Sequence, residues 1–129
     1  MAIKFHNPKT VSLAGKYSLG AEVPQGARLF YVSGQVGVDS RGKLQAGIEK
    51  QVEQVWKNIG QVLKSAGMGF GDVVKVNVFL TDSRFIAPYR TIRDRFFAKE
   101  PYPASTLLVV AGLADPAMLV EIEVIAAKA

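Results

Sequence analysis

With 129 residues, 49% of them apolar and 21% charged, the chain is sized for a single domain, 1–129, with a real core, and is too short for two. It has no cysteine and one histidine, His6, which excludes disulfides and thiolate chemistry and leaves a Ser-His-Asp relay or a transition-metal centre without support. The net charge of +5, from 16 basic against 11 acidic residues, is scattered along the chain, so specific nucleic-acid binding is not expected.

The opening MAIKFHNPKT has no apolar core of the secretory kind, and no run of about 18 apolar residues follows anywhere, so neither a signal nor a membrane span is expected. A cytoplasmic location is the default. Residues 3–6 read as a short strand, with His6 as an exposed strand residue. Residues 17–23 and 28–38 read as two strands joined through Pro24 and Gly26, which predicts a hairpin. DSRGK supplies the next turn.

Residues 48–66 form the clearest helix. Ile48, Val52, Val55, Ile59, Val62 and Ala66 recur in steps of four and three, Trp56 and Leu63 widen the stripe, and Gly67 suits a left-handed cap. DVVKVNVFLTD at 72–82 alternates as a strand, with Val74, Val76, Val78 and Leu80 on one face and Lys75 and Asn77 on the other. A second helix spans 86–97, with Pro88 in its first turn and Phe85, Tyr89, Ile92 and Phe96 inward. Arg84, Arg90, Arg93 and Arg95 cluster here against Asp94. A solvated helix face, an anion-binding patch and an RNA contact are all open readings of that cluster.

Two final strands, 105–111 and 118–126, flank GLADPA. In the last, Val120, Ile122, Val124 and Ala126 share one face while Glu121 and Glu123 share the other. The order β-β-β-α-β-α-β-β gives an α+β fold: about six strands in a mixed sheet, with two helices on one face. The uncovered face must stay wet or bury itself against another copy. It carries Glu121 and Glu123, with Ser105, Leu107 and Val109 beside them if the odd positions of the 105–111 strand point that way.

Taken together, KYS at 16–18, FYVSGQVGVD at 30–39, QVEQVWKNIGQVLKSAG at 51–67, DVVKVNVFLTD at 72–82, RDRFF at 93–97, YPAST at 102–106 and VEIEVIA at 120–126 resemble the RidA/YjgF family of enamine and imine deaminases, also described as endoribonuclease L-PSP. The resemblance is co-linear over nearly the whole chain. It implies a chorismate-mutase-like homotrimer with a central barrel, ligand clefts between subunits, and no metal or organic cofactor. It implies hydrolysis of 2-imino acids to 2-keto acids and ammonia, with Glu121 orienting the attacking water and Tyr17 bordering the cleft. Glu121 as one half of a structural ion pair is the other reading, and for Glu123 the structural reading leads.

One departure bears on substrate. The family's carboxylate-binding arginine falls at Ser105, with Thr106 on the motif hydroxyl. Loss of a bidentate charged contact should cost about 2–4 kcal/mol of binding. Arg90, where the family usually has asparagine, either supplies the missing cation or is a surface arginine. Partners implied are a small anionic or imine metabolite; a non-catalytic ligand-binding trimer is the alternative function, and an RNA-binding or ribonuclease role a further one.

Overall fold

The apolar stripe of the first long helix organises the rest of the chain. In the structure, a computed structural model describing residues 2–129, α1 runs over Ile48–Ser65 and leaves Val52, Val55, Trp56, Ile59 and Leu63 fully buried. It ends in a Schellman turn. Gly67, at φ +70°, donates its N–H to Lys64 O, and Met68 donates to Leu63 O, each at 3.0 Å.

The strands are β1 (Lys4–His6), β2 (Gly20–Glu22), β3 (Arg28–Val36), β4 (Val73–Leu80), β5 (Ala104–Val109) and β6 (Val120–Lys128), with α2 over Ile86–Phe96. Four of them form one mixed sheet in the order β3-β6-β4-β5. β6 is antiparallel to both neighbours, and β5 is parallel to β4, to which α2 is the crossover. Val32, Val76, Val78, Leu80, Ile122 and Val124 on one sheet face join Trp56, Ile59, Tyr89 and Ile92 of the two helices in a single core. Both helices therefore cover the same face, as the α+β reading expects.

Two expectations need correction. The strand at 17–23 shortens to β2, which pairs with β1 (Phe5 opposite Ala21) in a separate two-stranded sheet and does not form a hairpin with β3. The reason lies in long-range bonds. The Asn7 side chain accepts from Leu19 N–H at 2.7 Å, and Ser18 N–H donates to Pro103 O at 3.0 Å, so the segment is held by β1 and by the start of β5.

The second correction concerns β5. Ser105 is level with Val76 and Leu107 with Val78, which places both on the helix-covered face. Thr106 and Leu108, level with Asn77 and Phe79, occupy the uncovered face instead, where Glu123 and Glu121 sit level with the same two residues.

Candidate functional site

Glu121 and Glu123 owe their exposure to strand periodicity, since every second residue of β6 faces away from the helices. Their surroundings differ. Glu123 accepts from Asn77 Nδ2 at 3.1 Å, and next to that pair Lys75 Nζ donates to Thr106 Oγ1 at 2.8 Å. The two bonds form a short polar row across β6, β4 and β5. Glu121 lies between Val36 of β3 and Phe79 of β4 and packs on Gly34, where a Cβ would come within 2.9 Å of Glu121 Cδ. It enters no ion pair among the described residues. A half-exposed carboxylate, steered by close contact and not by a cation, can accept a proton from a bound water.

The start of β6 is set by a residue that the sequence reading passed over. Gln51 of α1, 2% exposed, donates through Nε2 to Gln45 O at 3.0 Å and Ala117 O at 3.1 Å, and accepts from Leu119 N–H at 2.9 Å. Its signal was an amide within an otherwise apolar helical stripe. These three bonds fix the chain two residues before Glu121.

Ser105 lies on the far side of the sheet from Glu121. It faces a small pocket of about 10 Å³ whose walls include Lys16, Trp56, Tyr89, Arg93 and Phe97. Arg93 donates through Nε and Nη2 to Asp94 Oδ1 at 3.2 and 2.9 Å, and Lys16 Nζ donates to Asp94 Oδ2 at 3.1 Å. Burial pushes the Asp94 carboxyl up, but the hydrogen bonds and charges of Arg93 and Lys16 outweigh it and hold the group below its ordinary value. The cations that line the pocket with Ser105 are thus Lys16 and Arg93, the latter one helical turn beyond Arg90, and Arg90 is exposed on α2.

Tyr17 borders a neighbouring pocket of about 150 Å³, which Phe5, Asn7, Leu13, Ser18 and Tyr102 also line. The remaining arginines of the cluster are solvated: Arg84 pairs with Asp82 at 2.8 Å, and Arg95 stands 3.9 Å from Glu53. His6 shares an exposed contact of 2.8 Å with Glu22. Among the described residues no group of three or more His, Cys, Asp or Glu side chains is placed to hold a metal ion. Nor, among the described residues, is any helix long and apolar enough to cross a membrane.

The family model described as endoribonuclease L-PSP matches residues 9–128. The chain belongs to that family, RidA/YjgF. The chain is 37% identical over 122 residues to a mouse (Mus musculus) 2-iminobutanoate/2-iminopropanoate deaminase, covering 93% of this chain and 87% of the relative. A Lactococcus lactis protein named putative regulator AldR is 41% identical over 100 residues, 76% of this chain and 78% of its own. Among solved structures, the Yersinia pestis Rid-family protein YyfB superposes with a TM-score of 0.89 at 27% identity, covering 99% of this chain and 100% of its own. The RidA-type α+β fold expected from the motifs is the fold observed.

Proposed function

We propose that this RidA-family chain hydrolyses reactive imines and enamines, with Glu121 orienting the attacking water and a second copy of the chain completing each site within a homotrimer. The observation that carries the reading is Glu121 itself, a carboxylate laid over Gly34 on the uncovered sheet face and free of ion pairing among the described residues. Water adds to the C=N carbon as the carboxylate takes one of its protons. The nitrogen is protonated, the C–N bond breaks, and ammonia leaves behind a carbonyl. The deaminase relatives support imino acids as the substrate class.

Two features support a site shared between copies. The sheet stands between Ser105 and Glu121, so a ligand that meets both faces must lie where two chains adjoin. The uncovered face also presents Leu29, Tyr31 and Leu108 at 52%, 68% and 50% exposure, apolar surface suited to burial against another subunit.

The test is to generate 2-aminoacrylate in situ and follow keto-acid release over the uncatalysed rate. Acceleration is expected, and Glu121→Gln is expected to lower it by roughly 100-fold. A wild-type rate equal to background overturns the reading. It would favour instead a non-catalytic ligand-binding trimer, to which Ser105 at the motif-arginine position and the relative named as a regulator both lend weight. Ribonuclease chemistry has less support, because a chain with one histidine, His6, cannot supply a pair of acid–base histidines.

A further inference from the structure

The apolar stripe of α1 is broken by one buried amide. Gln51 is 2% exposed beside Val52 and Val55, and both of its polar atoms are engaged: Nε2 donates to Gln45 O and Ala117 O, and Oε1 accepts from Leu119 N–H. A buried polar side chain that is fully bonded holds its partners in place, where an apolar one of the same size would release them.

What Gln51 holds are the ends of the strands around Glu121. On the β3 side, Gln45 N–H donates to Gly37 O at 2.9 Å, and Gly37 directly follows Val36, the residue paired with Glu121. Gly37 also lies against the helix: a Cβ there would stand 2.7 Å from Gln51 Cα and 2.8 Å from its Cβ. On the β6 side, Leu119 gives its N–H to Gln51, and its carbonyl accepts from Thr81 N–H at 3.1 Å, just past the end of β4. One amide thus ties α1 to β3, β6 and β4, the three strands on which Val36, Glu121 and Phe79 stand level.

That restraint falls where the sheet's own is weakest. The β3–β6 register shifts between Val32 and Gln35, so Gly34, the seat of the Glu121 side chain, lies within the irregularity. A shifted ladder leaves residues unpaired and lets the strand bend. Beyond it, Gln35 and Val36 pair with Ile122 and Glu121, and the chain of bonds through Gly37, Gln45 and Gln51 begins at the next residue.

We propose that Gln51 is a positioning residue for imine hydrolysis: from the helix side of the sheet it locks the ends of β3 and β6, so that the Glu121 carboxylate keeps its seat on Gly34. The inference rests on the proposed function for the reaction alone; the seating of Glu121 stands apart from it. Gln51 touches no substrate and acts through the backbone. A carboxylate displaced by about 1 Å no longer aims its water at the imine carbon, so kcat falls while substrate binding is spared.

The seat can be read directly, as a nuclear Overhauser contact between the Gly34 α protons and the Glu121 γ protons. It is expected in the wild type, because the position a Gly34 Cβ would take lies 3.1 Å from Glu121 Cγ. Gln51→Met, close in shape but without the amide, should abolish or sharply weaken it in the folded protein. Ile92→Ala, a core truncation on α2, should lower the melting temperature and leave the contact intact, so destabilisation alone does not account for the loss. Should Gln51→Met fail to fold, Gly37→Ala strains the same clamp from the β3 side and is expected to weaken the same contact. In the keto-acid assay Gln51→Met should lower kcat roughly tenfold with KM within about twofold, and in a Glu121→Gln background it should cost nothing further. A contact absent from the wild type or retained at full strength in the variant, or an equal fractional loss of kcat in both backgrounds, overturns the role. Imine turnover absent from the wild type would overturn the proposed function, while the Overhauser contact would still decide whether Gln51 seats Glu121.

Discussion

A Cβ added to Gly34 would stand 2.9 Å from Cδ of Glu121 and 3.1 Å from its Cγ, so the Glu121 side chain rests on the β3 backbone where the β3–β6 register shifts. Gly34→Ala should fold, because the end of a flexible side chain can swing aside; the stability change is expected to be about 1 kcal/mol or less. Imine hydrolysis should nonetheless fall roughly tenfold or more, because the carboxylate loses its aim. Thermal melting beside the keto-acid assay separates the two effects. Activity retained in full by this variant counts against Glu121 as the group that orients water.

The uncovered face predicts assembly. Light scattering behind a sizing column should report three times the 14.0 kDa chain mass. Tyr31→Glu puts a charge beside Leu29 and Ile125 and should shift the population to monomers while the helix signal in circular dichroism persists. A wild-type monomer at micromolar concentration removes the shared-site argument.

Gln51 makes three hydrogen bonds inside the core, one of them to the residue that precedes β6. Gln51→Leu keeps the side-chain volume but strands two carbonyls and one N–H. A loss of about 2–4 kcal/mol is expected in urea denaturation. Near-neutral behaviour would mean that water replaces the amide.

Ser105→Arg would push a guanidinium toward a pocket of about 10 Å³ already flanked by Lys16 and Arg93. It should destabilise the protein by about 2 kcal/mol, from overpacking and like charge together. Combination with Arg93→Ala should recover part of that loss, a coupling that a double-mutant cycle of melting data measures. Additive effects would show that the two positions do not share space.

Asp82 caps the turn at Ser83–Phe85, accepting from both the backbone N–H and the side chain of Arg84. Those bonds hold its carboxyl at about 2, below the reference 3.8. A lowered folded-state pKa stabilises the fold above the unfolded value, and the benefit fades as pH falls from 3.8 through about 2. Carboxyl-carbon NMR should find the midpoint near 2, and Arg84→Ala should return it toward 3.8.

The sequence made the helices and the central strands legible because their apolar positions repeat with one period. The stripe from Ile48 to Leu63 and the alternation of Val76, Val78, Ile122 and Val124 left little choice of face. In STLLVV both faces of β5 are apolar enough, so local pattern could not say whether Ser105 or Thr106 turned toward the helices; only the register with β4 decides it. The pairing of β2 with β1 depends on Asn7 and Pro103, partners distant in the chain from the turn that suggested a hairpin. Lys16, Trp56, Arg93 and Ser105 converge from four separate segments, which no spacing within one segment can encode.

A barrier of one β-sheet between Ser105 and Glu121 makes the proposed deaminase divisible. Glu121→Gln and Arg93→Met chains, each altered on one side of that barrier, become complementary partners when unfolded together and reassembled. In a random mixture about a quarter of the junctions would join an intact Arg93 to an intact Glu121, so the mixture should outpace either variant kept apart.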